Sequence, residues 1–405
     1  MGNAGGYVPK HAKASAPRAR RPRWLAPAAV ATLAIVAGVG AVVLPDDPPG
    51  SLAADAGADV EMLAAGDDAG LEVCVRASLE DRAGLVLVVG IPGVTTADDP
   101  LVDELVAAGV AGVMLRDDNI VDEDQVVELV DGLRARLGEH LLVAVDDEAG
   151  RVTSMRALDQ RVRSARRLGQ LGPEAAYDIG LDLGELAASV GIDWVLAPVA
   201  DLDDGPAAGV IGDRSFSGDP ETAAEAAAAF ADGLHAAGVA VTAKHFPGHG
   251  GEGDPHSAET IDLSSLAKLE TEDLVPFRRL IADGAEAAMV GHVTYPAAFG
   301  DLPASLTPAA YELLRAQGFD GVAVTDALGM GAVHSRFGFD VAPAMAITAG
   351  ADAALVNQGH SVGVLHEGIV AAVREGRLDE VRLDDAVRRV LRLRGQPLDG
   401  IVCEP

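Results

Sequence analysis

The feature that most constrains this chain is a rhythm that begins near Leu85 and runs almost to the carboxyl end. Short apolar runs alternate with longer stretches of Ala, Leu, Glu and Arg at helical period. Eight runs stand out: Leu85 to Gly90, Val110 to Leu115, Leu141 to Val145, Trp194 to Val199, Val239 to Ala243, Ala287 to Gly291, Gly321 to Thr325 and Ala353 to Val356. Such alternation predicts repeated βα units and a parallel sheet. The runs begin roughly 25 to 55 residues apart. That suits an α/β fold of the (β/α)8 TIM-type barrel with loop insertions, although a doubly wound sheet uses the same units.

The polar residues at the run ends favour the barrel. Asp146 and Glu148 follow the third run, Lys244 and His245 the fifth, His292 the sixth and Asp326 the seventh. In a closed barrel every strand opens its carboxyl end on one face, so these side chains would converge on one pocket. A doubly wound sheet would spread them along an edge.

Charge narrows the partners. Asp and Glu outnumber Lys and Arg by 62 to 31, and none of the acids precedes Asp46. A body of that sign repels phosphate backbones and anionic lipid, which argues against nucleic acid and for a neutral or weakly charged substrate. Solubility in a salty habitat would produce the same composition. Cys74 and Cys403 are the two cysteines, with no spacing suited to a metal, so neither a structural metal nor a cofactor is expected.

The amino-terminal residues have a different character. Lys10, Lys13, Arg18, Arg20, Arg21 and Arg23 precede Trp24, and Leu25 to Leu44 then runs without a charge. About 20 apolar residues match the bilayer core, and the basic flank keeps that end in the cytoplasm. Residues 1–24 therefore read as a basic cytoplasmic segment, 25–44 as a transmembrane or signal anchor, 45–70 as a flexible linker and 71–405 as the barrel domain. The body is expected outside the cytoplasmic membrane, either tethered or released by cleavage near Ser51 to Ala56. In an oxidising compartment Cys74 and Cys403 would be candidates for a disulfide, because the first and last elements of a closed barrel lie side by side; two unpaired thiols are the other reading.

Individual residues suggest chemistry without fixing it. Asp326, directly after Val322 to Thr325, could attack an anomeric carbon or simply cap a helix. Lys244-His245-Phe246-Pro247-Gly248-His249-Gly250 presents several polar groups on a tight loop, and Asp254-Pro255-His256 follows on the same loop. A carboxylate two residues before a histidine can fix one imidazole tautomer, as a general acid that later acts as a base requires.

Four segments occur in the order shown by family 3 glycoside hydrolases: Val-Asp-Asp-Glu-Ala-Gly-Arg-Val (145 to 152), Ile-Gly-Asp-Arg-Ser-Phe-Ser-Gly-Asp-Pro (211 to 220), Ala-Lys-His-Phe-Pro-Gly-His-Gly (243 to 250) and Val-Thr-Asp-Ala-Leu-Gly-Met (324 to 330). The chain resembles the single-barrel bacterial β-N-acetylglucosaminidases of that family over about residues 78 to 395. The resemblance implies a retaining exo-enzyme with Asp326 as nucleophile and His256, oriented by Asp254, as general acid/base. Asp146, Arg214, Lys244 and His245 would grip the terminal sugar, with Arg151 as a helper. The implied substrate is a cell-wall fragment bearing terminal β-linked N-acetylglucosamine. Two departures stand out: Pro255 replaces the family's Ser in a loop one residue short, and Ser154 replaces an Arg. The altered loop keeps a second expectation open, a membrane-tethered sugar-binding protein that does not cut. A β-glucosidase of the same family is a third.

Overall fold

A computed structural model of the protein describes residues 77–159, 163–249, 253–254, 256, 260–357 and 361–396. Eight parallel strands carry the fold: β1 Leu87–Gly90, β2 Gly112–Leu115, β3 Leu142–Val145, β4 Trp194–Val195, β5 Ala240–Phe246, β6 Ala287–Val290, β7 Val322–Thr325 and β8 Ala354–Val356. Each pairs with its neighbour in order, and β8 returns to pair with β1 through Leu87 opposite Ala354. The last seam, between β7 and β8, holds a single bridge of Val324 to Ala353, with the Thr325 amide donating to the Ala353 carbonyl at 3.0 Å. The sheet is therefore a TIM-type barrel with one thin seam, and the doubly wound arrangement is excluded by the β8–β1 pairing.

Strands buried on both faces need apolar residues throughout, and every residue of these eight is buried. One apolar layer fills the lumen, with Val88, Met114, Trp194, Met289, Val324 and Leu355 among its members. The other lies between strands and surrounding helices. Trp194 is accommodated in the lumen because its indole N–H reaches the Thr242 hydroxyl at 2.7 Å.

The outer helices start where local chemistry dictates. They include α1 Pro100–Ala108, α2 Glu123–Leu137, α3 Pro173–Ser189, α4 Pro220–Ala236, α5 Leu274–Ala282, α6 Pro308–Ala316, α7 Ala342–Ala349, α8 Val362–Arg374 and α9 Glu380–Leu393. Asp99, Asp122, Asp219 and Asp379 cap α1, α2, α4 and α9 by accepting a backbone N–H, and Pro occupies the first turn of α1, α3, α4, α6 and α7. Glycine sets the close approach of α3 to α4: a Cβ on Gly180 would lie 2.2 Å from the Phe230 carbonyl oxygen.

The strand boundaries differ from the sequence expectation in two places that matter. β4 is regular only over Trp194–Val195, although the chain beyond it stays beside β5, where the Thr242 N–H donates to the Ala197 carbonyl at 2.8 Å and Val199 bridges Lys244. β5 runs on to Phe246, so Lys244 and His245 belong to the strand rather than to the loop after it. The register with β6 shifts between Lys244 and Phe246. Such a bulge breaks the alternation of side chains, so two successive residues can face the same cavity.

The basic segment, the uncharged run of residues 25 to 44, the linker and both cysteines lie outside the described residues. Among the described residues no helix is long and apolar enough to cross a membrane. The two ends of the barrel do lie together. Arg82, in the helix Leu79–Gly84, pairs with Asp384 and with Glu380 at 2.5 Å, both on α9.

Candidate active site

The carboxyl ends of the strands surround a cavity of about 140 Å³ lined by Asp146, Glu148, Arg214, Lys244, His245 and Asp326. His249, His256 and Asn357 also border it. The expected convergence holds for Asp146, Glu148, Lys244, His245 and Asp326, whereas His292, also expected on this pocket, is fully buried outside its lining.

One wall is a network of fixed charges. Lys244, almost fully buried, places its Nζ 2.5 Å from both Asp146 Oδ1 and Glu148 Oε1. Arg214 donates its Nε and Nη2 to the two oxygens of Glu148 at 2.6 and 2.8 Å, a bidentate fork that fixes the guanidinium plane. Its Nη2 also lies 3.4 Å from His245 Nε2. Burial alone would drive the Glu148 carboxyl toward neutrality; Arg214 and Lys244 outweigh it and hold the pKa well below the usual carboxylate range. Burial likewise opposes the charge on Lys244, and Asp146 and Glu148 more than restore it.

Behind this wall sits Asp201, 1% exposed. Its Oδ2 holds His245 Nδ1 at 2.7 Å, and its Oδ1 accepts the backbone amides of His245 and His249 at 3.1 and 2.6 Å. A carboxylate on Nδ1 turns His245 Nε2 toward the cavity. Burial raises the Asp201 pKa, but His245 and its hydrogen bonds win and the group stays ionised.

Asp326 forms the floor. Its backbone N–H donates to Val290 O at 2.9 Å, and Oδ1 accepts the Ala327 N–H at 2.7 Å. Burial pushes the carboxyl up, yet His245, His292, the Ala327 amide and Lys244 together bring it down to about 2. A buried carboxylate that remains charged and has an oxygen to spare can act as a nucleophile.

The Asp254–His256 pair stands at the rim. Asp254 Oδ1 accepts from the His256 backbone N–H at 3.0 Å and holds His256 Nδ1 at 2.7 Å, while the two side chains are 47% and 64% exposed. Nε2 is therefore the atom left for chemistry. His256 also borders an outer recess of about 390 Å³, together with Arg151, Val152, Val210 and Arg214. His256 thus borders both the inner cavity and the outer recess.

Arg151 occupies a different place from the other candidates. Its Nη2 donates to the Gly209, Val210 and Ile211 carbonyls at 2.5, 2.9 and 2.9 Å, and its Nε meets Asp213 at 3.1 Å. It braces the loop that delivers Arg214 and borders only the outer recess. Arg156 donates to the Arg151 carbonyl at 3.2 Å and is likewise absent from the inner lining.

Sequence reasoning placed Glu148 among the run ends facing the pocket but gave it no role, and it did not single out Asp201. Glu148 did carry a signal, the acidic run directly after β3. Asp201 follows an irregular stretch after a two-residue strand, where the position of a run end could not point to it.

Comparison with known proteins places this arrangement. The family described as glycosyl hydrolase family 3 N-terminal domain matches residues 79–393. The chain belongs to glycoside hydrolase family 3. Among its relatives, the β-hexosaminidase LpqI of Mycobacterium tuberculosis is 40% identical over 265 residues, which are 63% of this chain and 68% of that protein. A β-hexosaminidase of Xylella fastidiosa is 41% identical over 284 residues, 67% of this chain and 83% of its own length. Solved structures agree. That of LpqI superposes with a TM-score of 0.74 at 36% identity, covering 80% of this chain and 98% of the other. A family 3 β-N-acetylglucosaminidase from Paenibacillus superposes at 0.75 with 32% identity, covering 81% of this chain and 66% of the longer relative.

Proposed function

We propose that this family 3 glycoside hydrolase is a retaining exo-β-N-acetylglucosaminidase in which Asp326 is the nucleophile and His256, oriented by Asp254, the general acid/base. The observation that carries the reading is the pairing of a buried, ionised carboxylate at the end of β7 with an exposed Asp–His dyad bordering the same cavity. In the first step Asp326 attacks the anomeric carbon and His256 Nε2 gives its proton to the departing oxygen. In the second, the same nitrogen takes a proton from water, which displaces Asp326 and restores it. Asp146, Lys244, Arg214 and His245 hold the hydroxyls of the terminal sugar by charge-assisted hydrogen bonds.

Three relatives support the amino-sugar specificity over the β-glucosidase reading: two are named β-hexosaminidases and one a β-N-acetylglucosaminidase. Cell-wall fragments outside the cytoplasmic membrane are the proposed natural substrates. The basic residues before Trp24 and the uncharged stretch from Leu25 to Leu44 support that location. Release of nitrophenol from a nitrophenyl N-acetyl-β-glucosaminide, set beside the matching glucoside, tests the activity. Turnover of the first and not the second is expected. Tight binding of N-acetylglucosamine without turnover would favour the non-cutting sugar-binding protein instead.

A further inference from the structure

His292 follows β6 and is fully buried, outside the set of residues that line the cavity. Its two ring nitrogens are both engaged. Nε2 lies 3.0 Å from the Ala327 carbonyl oxygen and Nδ1 2.7 Å from the Ser305 hydroxyl. A carbonyl only accepts, so Nε2 carries the proton. In the neutral ring Nδ1 then accepts from Ser305 Oγ–H. Burial keeps the imidazole neutral, despite the nearby Asp326 charge. Ser305 is itself fixed: its N–H donates to Gly291 O at 3.0 Å, and its carbonyl accepts from Tyr311 OH at 2.7 Å.

The group that His292 holds is the turn between the two proposed catalytic elements. The Ala327 carbonyl also accepts the Met330 N–H at 2.9 Å, which closes the turn 327–330. At one end of this turn the Ala327 N–H holds Asp326 Oδ1 at 2.7 Å. At the other end the Gly331 N–H donates to the backbone carbonyl of His256 at 3.0 Å. A single peptide segment therefore orients the carboxylate on the floor and docks the backbone of His256 at the rim.

We infer that Ser305 and His292 form a clamp on the Ala327–Met330 turn that sets the spacing between Asp326 and His256, making His292 a positioning residue for both chemical steps. The inference rests on the roles proposed for Asp326 and His256. Because neither clamp residue has a hydrogen bond or ion pair to the charged wall among the described residues, loosening the clamp should lower kcat and leave KM nearly unchanged. Misplacing reacting groups by about 1 Å costs on the order of 100-fold in rate.

Four variants of the full chain test the clamp on nitrophenyl N-acetyl-β-glucosaminide: His292→Leu, His292→Gln, Ser305→Ala and Asp326→Asn. Leucine fills the space without either hydrogen bond, so kcat should fall by about 30- to 100-fold at constant KM. Glutamine can donate to the Ala327 carbonyl from its amide and should recover most of that loss. Ser305→Ala frees Nδ1 to take the ring proton, which removes the Nε2 donor from part of the molecules, and should lower kcat several-fold at constant KM. If the leucine variant fails to fold, the glutamine and alanine variants carry the test. Equal kcat in the leucine and glutamine variants, a rise in KM at constant kcat, or a Ser305→Ala variant that matches the wild type would each overturn the clamp. The Asp326→Asn arm separates the two readings. Retained activity there removes the nucleophile assignment, whereas an inactive Asp326→Asn beside an unaffected His292→Leu removes the clamp alone.

Discussion

Glu148 offers the sharpest test of how the sugar-binding wall is built. It is 2% exposed and satisfies two cations at once, Arg214 through both carboxylate oxygens and Lys244 through one. Replacement by Gln preserves shape and removes the charge. Lys244 would keep Asp146 at 2.5 Å, but Arg214 would be left with His245 Nε2 at 3.4 Å and the Val210 carbonyl at 3.2 Å. Removing one partner of a buried ion pair costs about 3 to 5 kcal/mol, because the remaining charge is stranded. Gln can still accept one N–H, so Glu148→Gln is expected near 3 kcal/mol and Glu148→Leu near 5 kcal/mol.

Urea unfolding at neutral pH measures this directly, with the slope against urea checked for constancy. Kinetics should move in the same variants: Arg214 and Lys244 are the groups proposed to hold sugar, so KM should rise more than kcat falls. The double variant Glu148→Leu with Arg214→Met should recover about 2 kcal/mol or more of the stability lost by Glu148→Leu, since an apolar pair replaces the stranded cation. Glu148→Gln within about 0.5 kcal/mol of wild type and with unchanged KM would refute the view that this carboxylate organises the wall.

Three further predictions concern the proposed chemistry and the pH response. Asp326→Asn should fold and bind sugar normally yet lose on the order of 10³-fold in turnover, the scale of a lost transition-state charge interaction; retained activity would sink the nucleophile assignment. His256→Ala should harm substrates with poor leaving groups far more than nitrophenyl glycosides, whose departing oxygen needs little protonation. Equal losses on both would count against His256 as the acid. Asp147 accepts from the Thr153 hydroxyl at 2.7 Å and the Met155 N–H at 3.1 Å, yet burial pushes its carboxyl up to about 6 from an ordinary 3.8. A carboxyl raised in the folded state contributes stability in full below about pH 4 that is lost as pH rises through about 6, here about 3 kcal/mol. Asp147→Asn should flatten that slope in chemical denaturation at pH 4 and 7.5, and an unchanged slope would refute the assignment.

The barrel was legible because a strand buried on both faces must be apolar throughout, and eight such runs with helical spacers leave few architectures. The strand ends were legible for the same reason: a charged residue that abruptly ends an apolar run has to face the open end. Asp146, Lys244, His245 and Asp326 satisfy that logic and surround one cavity. The logic fails where the backbone departs from regular geometry. The bulge in β5 brings Lys244 and His245 inside the strand, and the short β4 hides Asp201. It also cannot tell a side chain that meets substrate from one that braces a loop, since Arg151 and Arg214 sit in similar sequence surroundings. What separates them is the partner each finds, three carbonyls and Asp213 for one and a buried carboxylate for the other. Likewise, nothing in Gly291-His292-Val293 announces that the ring reaches the Ala327 carbonyl beyond the end of the neighbouring strand.

The site's charge balance explains why Glu148 and Asp201 matter as much as the residues that would touch sugar. The proposed nucleophile must be ionised, and burial opposes that, so cations have to stand nearby. Yet an uncompensated set of cations would bind a second anion in place of a neutral sugar and would weaken the carboxylate as a nucleophile. The wall resolves this conflict by pairing each basic group with a carboxylate: Arg214 and Lys244 share the buried Glu148, Lys244 adds the half-buried Asp146, and His245 has the buried Asp201. Asp326 then feels the summed field of these groups without forming, among the described residues, a direct ion pair that substrate attack would have to break. Among the described residues its carboxylate is held by a backbone amide on one oxygen, which keeps the group in place while leaving the other oxygen for attack. The same separation accounts for the contrast in burial between the two proposed catalytic groups. The nucleophile needs a fixed charge and lies at the closed floor, whereas the acid/base must exchange protons with water between steps and stands exposed at the rim.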